Sequence, residues 1–291
     1  MLVICATWIY YRLGWWSLLI LAPAALVPVL WQGYRGDLSI YISPLVFGTA
    51  GGYCFRKGLG LDFFIPVSAI VFSLLFTGDY LFLKNVRGFD MVQAGIDEMV
   101  ATVESTREGV DQLAAQYSRP KEDAEKVKAD LSLMEQTLRD SKWVQMARDL
   151  IPFSAFLLAV FVAGTAFFLM TKFIMKKAAE HVKYLQHFRL NDYFIFALIA
   201  GLAGLLLIKQ ESAPVVFVIC LNMALMVSVL YSIQAMGIVK YILIRRNIPV
   251  SLFPLFIIIT VLMSPVTLMF LMIIFTGIGS LDLWADFRKL A

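Results

Sequence analysis

Residues 61–83 read LDFFIPVSAIVFSLLFTGDYLFL: twenty-three positions with two carboxylates, Asp62 and Asp79, and no base until Lys84. A helix crossing the roughly 30 Å hydrocarbon core of a bilayer needs about 20 mostly apolar residues. This stretch supplies them, and it is not alone. Comparable runs occur at Trp15–Trp31, Leu38–Phe55, Leu150–Met175, Tyr193–Ile208 and Ala213–Val239. Across the 291 residues 60% are apolar and 16% charged, where a soluble domain carries about a quarter charged. The fold class that follows is all-α: a polytopic transmembrane helical bundle of about seven or eight segments.

Two runs fit this scheme less simply. Leu2–Tyr11 is too short to span and reads as an interfacial piece or the stub of a longer helix. Ile248–Leu281 is too long, because its 34 residues would reach roughly 50 Å. Pro254 and Pro265 interrupt it, so a broken helix, or a tight hairpin turning near Met263-Ser264-Pro265, is expected.

Between the apolar blocks, from about Gly88 to Arg148, the pattern changes. Phe89, Val92, Ile96, Met99, Val103, Val110, Leu113 and Tyr117 alternate at spacings of three and four, the mark of a helical seam. Ser118-Arg119-Pro120 breaks it, and Ala124, Val127, Leu131, Met134 and Leu138 resume it. Two helices joined by a short turn form an antiparallel hairpin or coiled coil. Two roles stand for it: a spacer whose stripes cover each other, or a docking arm for another envelope protein. The domains are thus 1–87, N-terminal membrane segments; 88–148, the hairpin; and 149–291, C-terminal membrane segments.

Basic residues near span ends set orientation. Arg56-Lys57, the loop with Lys176, Lys177, Lys183 and Arg189, and the cluster Lys240, Arg245 and Arg246 fall on one side by alternation. That side is the cytoplasm, which places residues 88–148 on the outer side of a bacterial cytoplasmic membrane. Gly88 to Asp149 holds 13 acidic and 8 basic residues, net −5, leaving +9 elsewhere against the chain's total of +4.

Catalytic signatures are missing: no GxxxxGK[ST] loop, no HExxH and no GxSxG, so no enzymatic role, cofactor or resident ATPase is expected. His181 and His187 are six apart, on opposed helix faces, which disfavours a shared metal. The basic residues are too sparse for nucleic acid. Cys5, Cys54 and Cys220 lie in apolar sequence and offer no disulfide framework.

The C-terminal half resembles the YybS-like family of uncharacterised bacterial multi-spanning membrane proteins. The resemblance rests on Arg189-Leu190-Asn191-Asp192-Tyr193, on Asn222 with Leu230-Tyr231-Ser232-Ile233-Gln234, and above all on Gly277-Ile278-Gly279-Ser280-Leu281-Asp282-Leu283-Trp284-Ala285-Asp286-Phe287-Arg288-Lys289. Gly48-Thr49-Ala50-Gly51-Gly52-Tyr53-Cys54-Phe55-Arg56-Lys57-Gly58 is similar to the family's glycine-rich span end. The family has a fuller first span, and the hairpin looks like an insertion. In outline the family is similar to the substrate-binding subunits of energy-coupling-factor vitamin transporters, a likeness of fold and not of site.

Polar groups within membrane segments are costly and point to function. Asp79, Asn222, Tyr231 and Gln234 are the candidate lining of a polar cavity, while Asp282, Asp286 and Arg288 form a candidate anchor motif through pairing within the terminal helix. For Asn222 the alternative is an interhelical hydrogen bond. Gly48 with Gly52, and Ala197 with Gly201, have the small-residue spacing that lets helices approach closely. The first functional reading is a small-molecule binding or transport module in the lipid bilayer, with a separate energising ATPase as partner. The second is a scaffold or envelope-assembly protein that contacts a protein partner through residues 88–148.

Overall fold

The computed structural model describes residues 2–31, 38–117, 121–174, 185–249 and 265–290. The turn expected at Ser118-Arg119-Pro120, the basic loop with His181, and the break expected around Pro254 and Met263-Ser264 lie outside them. Regular structure among the described residues is helical throughout. In chain order the α-helices are α1 (Leu2–Leu13), α2 (Leu18–Trp31), α3 (Leu38–Lys57), α4 (Leu61–Arg87), α5 (Met91–Tyr117), α6 (Lys121–Arg139), α7 (Ser141–Asp149), α8 (Ile151–Leu169), α9 (Tyr193–Leu207), α10 (Pro214–Arg245), α11 (Pro265–Ala285) and α12 (Phe287–Leu290). Among the described residues four helical stretches are long and apolar enough to cross a bilayer: Leu2–Ala25, Leu61–Arg87, Ile151–Lys172 and Pro214–Arg245. Tyr193–Leu207 and Met269–Ala285 are apolar but shorter. The chain divides into two compact units, residues 1–76 with 152–291, and residues 77–151.

In the first unit, the opening stretch does not stand apart. A 3-10 turn, Gly14–Ser17, joins α1 to α2, and Gly14 takes a φ of 61°, which a side chain would resist. α3 then packs along α1 through its glycines. A Cβ on Gly48 would collide with the Cβ of Ala6, and one on Gly52 would stand 2.7 Å from the Cβ of Tyr10. The GxxxG spacing therefore has a partner, and it is α1. α3 closes where the sequence predicts: Gly58 has φ 66°, and the Leu59 N–H donates to the Cys54 carbonyl at 2.9 Å, a left-handed glycine cap.

Aromatic rings fill the space around α3, α4 and α8. Phe55 stacks on Phe167 with centroids 5.4 Å apart, and Phe64 meets the same ring at 5.9 Å. Ala155, Ala159 and Ala163 bury one face of α8 at spacings of four, leaving room for those large rings. Small residues also bring α9 to α10. A Cβ on Gly201 would lie 3.0 Å from the Ala224 nitrogen, and one on Gly204 would overlap the Cys220 sulfur. α10 is central to the C-terminal part, packed by both α9 and α11.

The second unit holds α5, α6 and α7 with the end of α4. Its second arm is not one helix. Asp140 interrupts it, and its carboxylate accepts the Lys142 N–H at 2.9 Å to cap α7. The buried seam keeps Val92, Ile96 and Val103 of the expected stripe, with Val100 in the place expected for Met99. Ile96, Val100 and Val144 bury together, with Val92 and Leu138 against them, while Met99 is 52% exposed. Val100 sits beside Met99 in sequence, and the smaller branched side chain takes the interior place. At the base of the unit the Asp90 carboxylate meets Arg148 at 2.8 Å and Lys84 at 3.9 Å.

Candidate functional site

Gln234, in the middle of α10, is 3% exposed, and an amide so placed must find partners within the protein. Its Nε2 donates to the Gly279 carbonyl and to Asp282 Oδ2, each at 3.1 Å. Its Oε1 accepts the Leu190 N–H at 2.9 Å. The Gly279 carbonyl is within reach because glycine allows α11 to press on α10: a Cβ there would overlap the Tyr231 carbonyl.

Asp282 carries the network onward. Its Oδ1 accepts the Phe287 N–H at 3.0 Å, capping α12, and its Oδ2 lies 3.5 Å from Arg288 Nη1. Arg288 Nη2 donates to the Phe188 carbonyl at 2.6 Å. Burial lowers the Arg288 pKa, with Arg189 acting in the same sense and Asp282 opposing; a guanidinium remains charged regardless. Asp282 and Gln234 thus hold α10, α11, α12 and residues 185–190 as one junction. The network around Asp282 and Arg288 extends beyond the terminal helix to Gln234.

Asp286 stands apart from this junction. It links α11 to α12 with a φ of 43° and pairs with Lys289 at 2.7 Å, not with Arg288. The Lys289 hydrogen bond holds its carboxyl below the usual range.

Asn222 works at another level of α10, twelve residues earlier and roughly 18 Å along the axis. Its Oδ1 accepts the Phe153 N–H at 2.9 Å, and its Nδ2 donates to the Val218 carbonyl at 2.9 Å. Phe153 lies in the first turn of α8, where backbone donors lack intrahelical partners. The Asn222 amide therefore caps α8 from a neighbouring helix, and the Ser73 hydroxyl donates to the Pro152 carbonyl at 2.6 Å beside it. Tyr231 is buried, its backbone carbonyl against Gly279. Asp79 is buried within α4 in the other compact unit. Of the residues expected to share one lining, Tyr231 and Gln234 both meet Gly279, and Asn222 makes a separate contact with α8.

A cavity of about 600 Å³ lies elsewhere, among α1, α2, α3 and α4. Tyr10, Trp15, Thr49, Tyr53, Phe63 and Ser68 line it, with Leu18, Val46, Val67 and Val71 among the aliphatic walls and no charged residue. Tyr10 and Trp15 meet edge to face at 5.8 Å. Ser68 is completely buried, and its hydroxyl has no hydrogen-bond partner. Sequence reading passed over this site because serine between Val67 and Ala69 gives no local sign that its hydroxyl is uncommitted. Among the described residues no group of three metal-ligating side chains comes together.

A family model described as "Predicted membrane protein (DUF2232)" matches residues 1–283. No curated protein and no solved structure matches the chain.

Proposed function

Because the chain belongs to the DUF2232 family of predicted membrane proteins, we propose that it works in the bilayer as a binding module for a small molecule, seated in the cavity of the N-terminal helices. The observation that carries this reading is the cavity itself: about 600 Å³, apolar, with a few hydroxyl groups. Ligand sites commonly measure roughly 300–1,000 Å³ and combine apolar walls with a few polar groups. In this reading Asn222, Gln234 and Asp282 bolt the C-terminal helices into a rigid support and do not touch ligand. Rigid elements position sites better than loops do.

Transport is the finer form of this proposal. With no nucleotide-binding loop in the sequence, movement of the ligand would depend on a separate energising ATPase. The resemblance to the YybS-like family, in outline similar to vitamin-binding transporter subunits, agrees with that form as a likeness of fold and identifies no site. The charge asymmetry supports a bacterial cytoplasmic membrane with residues 88–148 outside, and about seven or eight segments agree with that sidedness.

The test is to fill the cavity. Small molecules extracted from protein purified in mild detergent are compared between the native chain and Ala50→Trp. A species present with the native chain and depleted in the variant supports binding at this cavity. Equal recovery from both proteins counts against it.

A second reading, a scaffold in which residues 88–148 contact an envelope protein, has one observation in its favour. Met99, Leu133, Met134 and Trp143 are each half exposed or more in the second unit, and exposed apolar groups on a polar hairpin suit a protein contact. Deleting Gly88 to Arg148 would abolish partner capture in this reading while sparing ligand recovery.

A further inference from the structure

Resting on the binding reading above, we infer that the ligand is an uncharged amphiphile dissolved in the bilayer, whose polar end is a hydrogen-bond acceptor held by the Ser68 hydroxyl. Short hydroxyl side chains in helices normally donate back to a carbonyl three or four residues earlier. This chain follows that habit. Thr7 donates to the Val3 carbonyl at 2.8 Å, Thr49 to Leu45 at 2.7 Å and Ser232 to Ser228 at 2.9 Å. Ser68 does not, although it sits within α4 where a carbonyl lies one turn back, and it is buried to zero exposure. A buried hydroxyl left unpaired is unfavourable. A ligand carbonyl, ether or hydroxyl oxygen in the cavity would remove that deficit once the side chains that cover the hydroxyl shift aside.

The walls decide the ligand's charge. None of the lining residues is an acid, a base or a histidine; they are aromatic, aliphatic and hydroxyl side chains. An anion or cation brought there would lose its hydration with no counter-ion among the lining residues to replace it. The mouth decides the route. Trp15, Phe63 and Val71 line the cavity and are also exposed, at 71%, 39% and 39%, and Leu19, Ile70 and Leu74 continue the exposed apolar surface. On helices long enough to span, such a surface faces acyl chains and not water. The ligand therefore enters sideways from the bilayer, and the flat walls of Tyr10, Trp15, Tyr53 and Phe63 suit a chain or ring.

Three tritiated probes of similar length test this on the full chain, immobilised in mild detergent, with retained label counted: 2-dodecanone, dodecane and dodecanesulfonate. The native chain is expected to retain 2-dodecanone about fivefold better than dodecane, the equivalent of one net hydrogen bond of about 1 kcal/mol. Dodecanesulfonate is expected to be retained no better than by Ala50→Trp. Ser68→Ala should lower ketone retention to the level of dodecane while leaving dodecane unchanged. Val71→Trp, at the mouth, replaces Ala50→Trp as the filled control if the latter does not fold. A ketone-to-alkane ratio unaffected by Ser68→Ala, or preferential retention of the sulfonate, overturns the inference while the cavity remains a binding site. If no probe is retained better by the native chain than by the filled variants, the binding reading fails with it.

Discussion

The Gln234 amide nitrogen lies 3.1 Å from the Asp282 carboxylate, across forty-eight residues of chain, and the same carboxylate oxygen stands 3.5 Å from Arg288. Three helices and a loop are fastened at this point, so its loss should be felt globally. Asp282→Ala leaves the Arg288 guanidinium in a largely buried position without its counter-ion, and breaking such a pair costs about 3–5 kcal/mol. Thermal unfolding in detergent should therefore show a large drop in midpoint for Asp282→Ala. Lys289→Ala, with a side chain 82% exposed, should change little. The double variant Asp282→Ala with Arg288→Met should recover part of the loss, because no buried charge remains unpaired. An Asp282→Ala protein as stable as the native one would remove the junction from any account of this fold.

The membrane character was legible because bilayer thickness imposes a minimum length, and residues 61–83 or 214–239 meet it without interruption. The helices of the second unit were legible by spacing, as were Val92, Ile96 and Val103 of its seam; the choice of Val100 over Met99 was not, since both are apolar and a pattern of threes and fours admits either. Asp140 was equally hidden: only its capping geometry shows that the second arm is two helices. The junction at Asp282 was half visible. Asp282 and Arg288 are near in sequence, whereas Gln234 joins them only through the packing of Gly279 on Tyr231. Such long-range partners leave no trace in local spacing.

The glycines of α3 offer a contrast within one chain. Gly48→Ala would place a Cβ against that of Ala6, and Gly52→Ala would place one 2.7 Å from Tyr10 Cβ and 2.9 Å from the Thr7 carbonyl. Backbone cannot retreat as a flexible side chain can, so each should cost about 1–3 kcal/mol. Gly95→Ala in α5, where nothing lies within 4 Å, should instead stabilise the second unit by about 0.5–1 kcal/mol. Unfolding midpoints for the first pair and amide exchange across α5 for the second check both signs. Equal effects at Gly52 and Gly95 would show that α1 and α3 are not in close contact.

Acid should loosen the second unit through Asp90. Burial alone would raise its pKa, but the Gln93 N–H, Arg148, Lys84 and the Val92 N–H together hold it below the ordinary carboxylate value. A carboxyl depressed in the folded state contributes stability that is complete above its unfolded pKa, near 4, and is lost as pH falls through the lower folded value. Exchange protection of the Val92 and Gln93 amides, which donate to Asp90 at 3.0 and 3.3 Å, is expected to be flat from neutral pH to about 5 and to fall below about 4. In Asp90→Asn the acid-dependent fall should be absent. Protection that declines equally in both proteins would assign the transition to other carboxylates.

Ser68 should reveal itself by a gain on removal. Asn222→Leu deprives the Phe153 N–H of its acceptor and should destabilise α8, which is the ordinary consequence of deleting a buried partner. Ser68 has no partner to deprive. Ser68→Ala removes one oxygen from a fully buried site, ends an unsatisfied hydroxyl and replaces serine by a better helix former. Ligand-free protein carrying Ser68→Ala is therefore expected to be more stable than the native chain by up to about 1 kcal/mol, read as a raised unfolding midpoint after exhaustive delipidation. Ligand should reverse the order, since it stabilises in proportion to its affinity for the folded state and the variant lacks the hydroxyl that binds it. A chain that keeps a destabilising hydroxyl in its membrane core is consistent with use of that group. If Ser68→Ala lowers the midpoint in delipidated protein, the hydroxyl already has an internal partner and has nothing to offer a ligand.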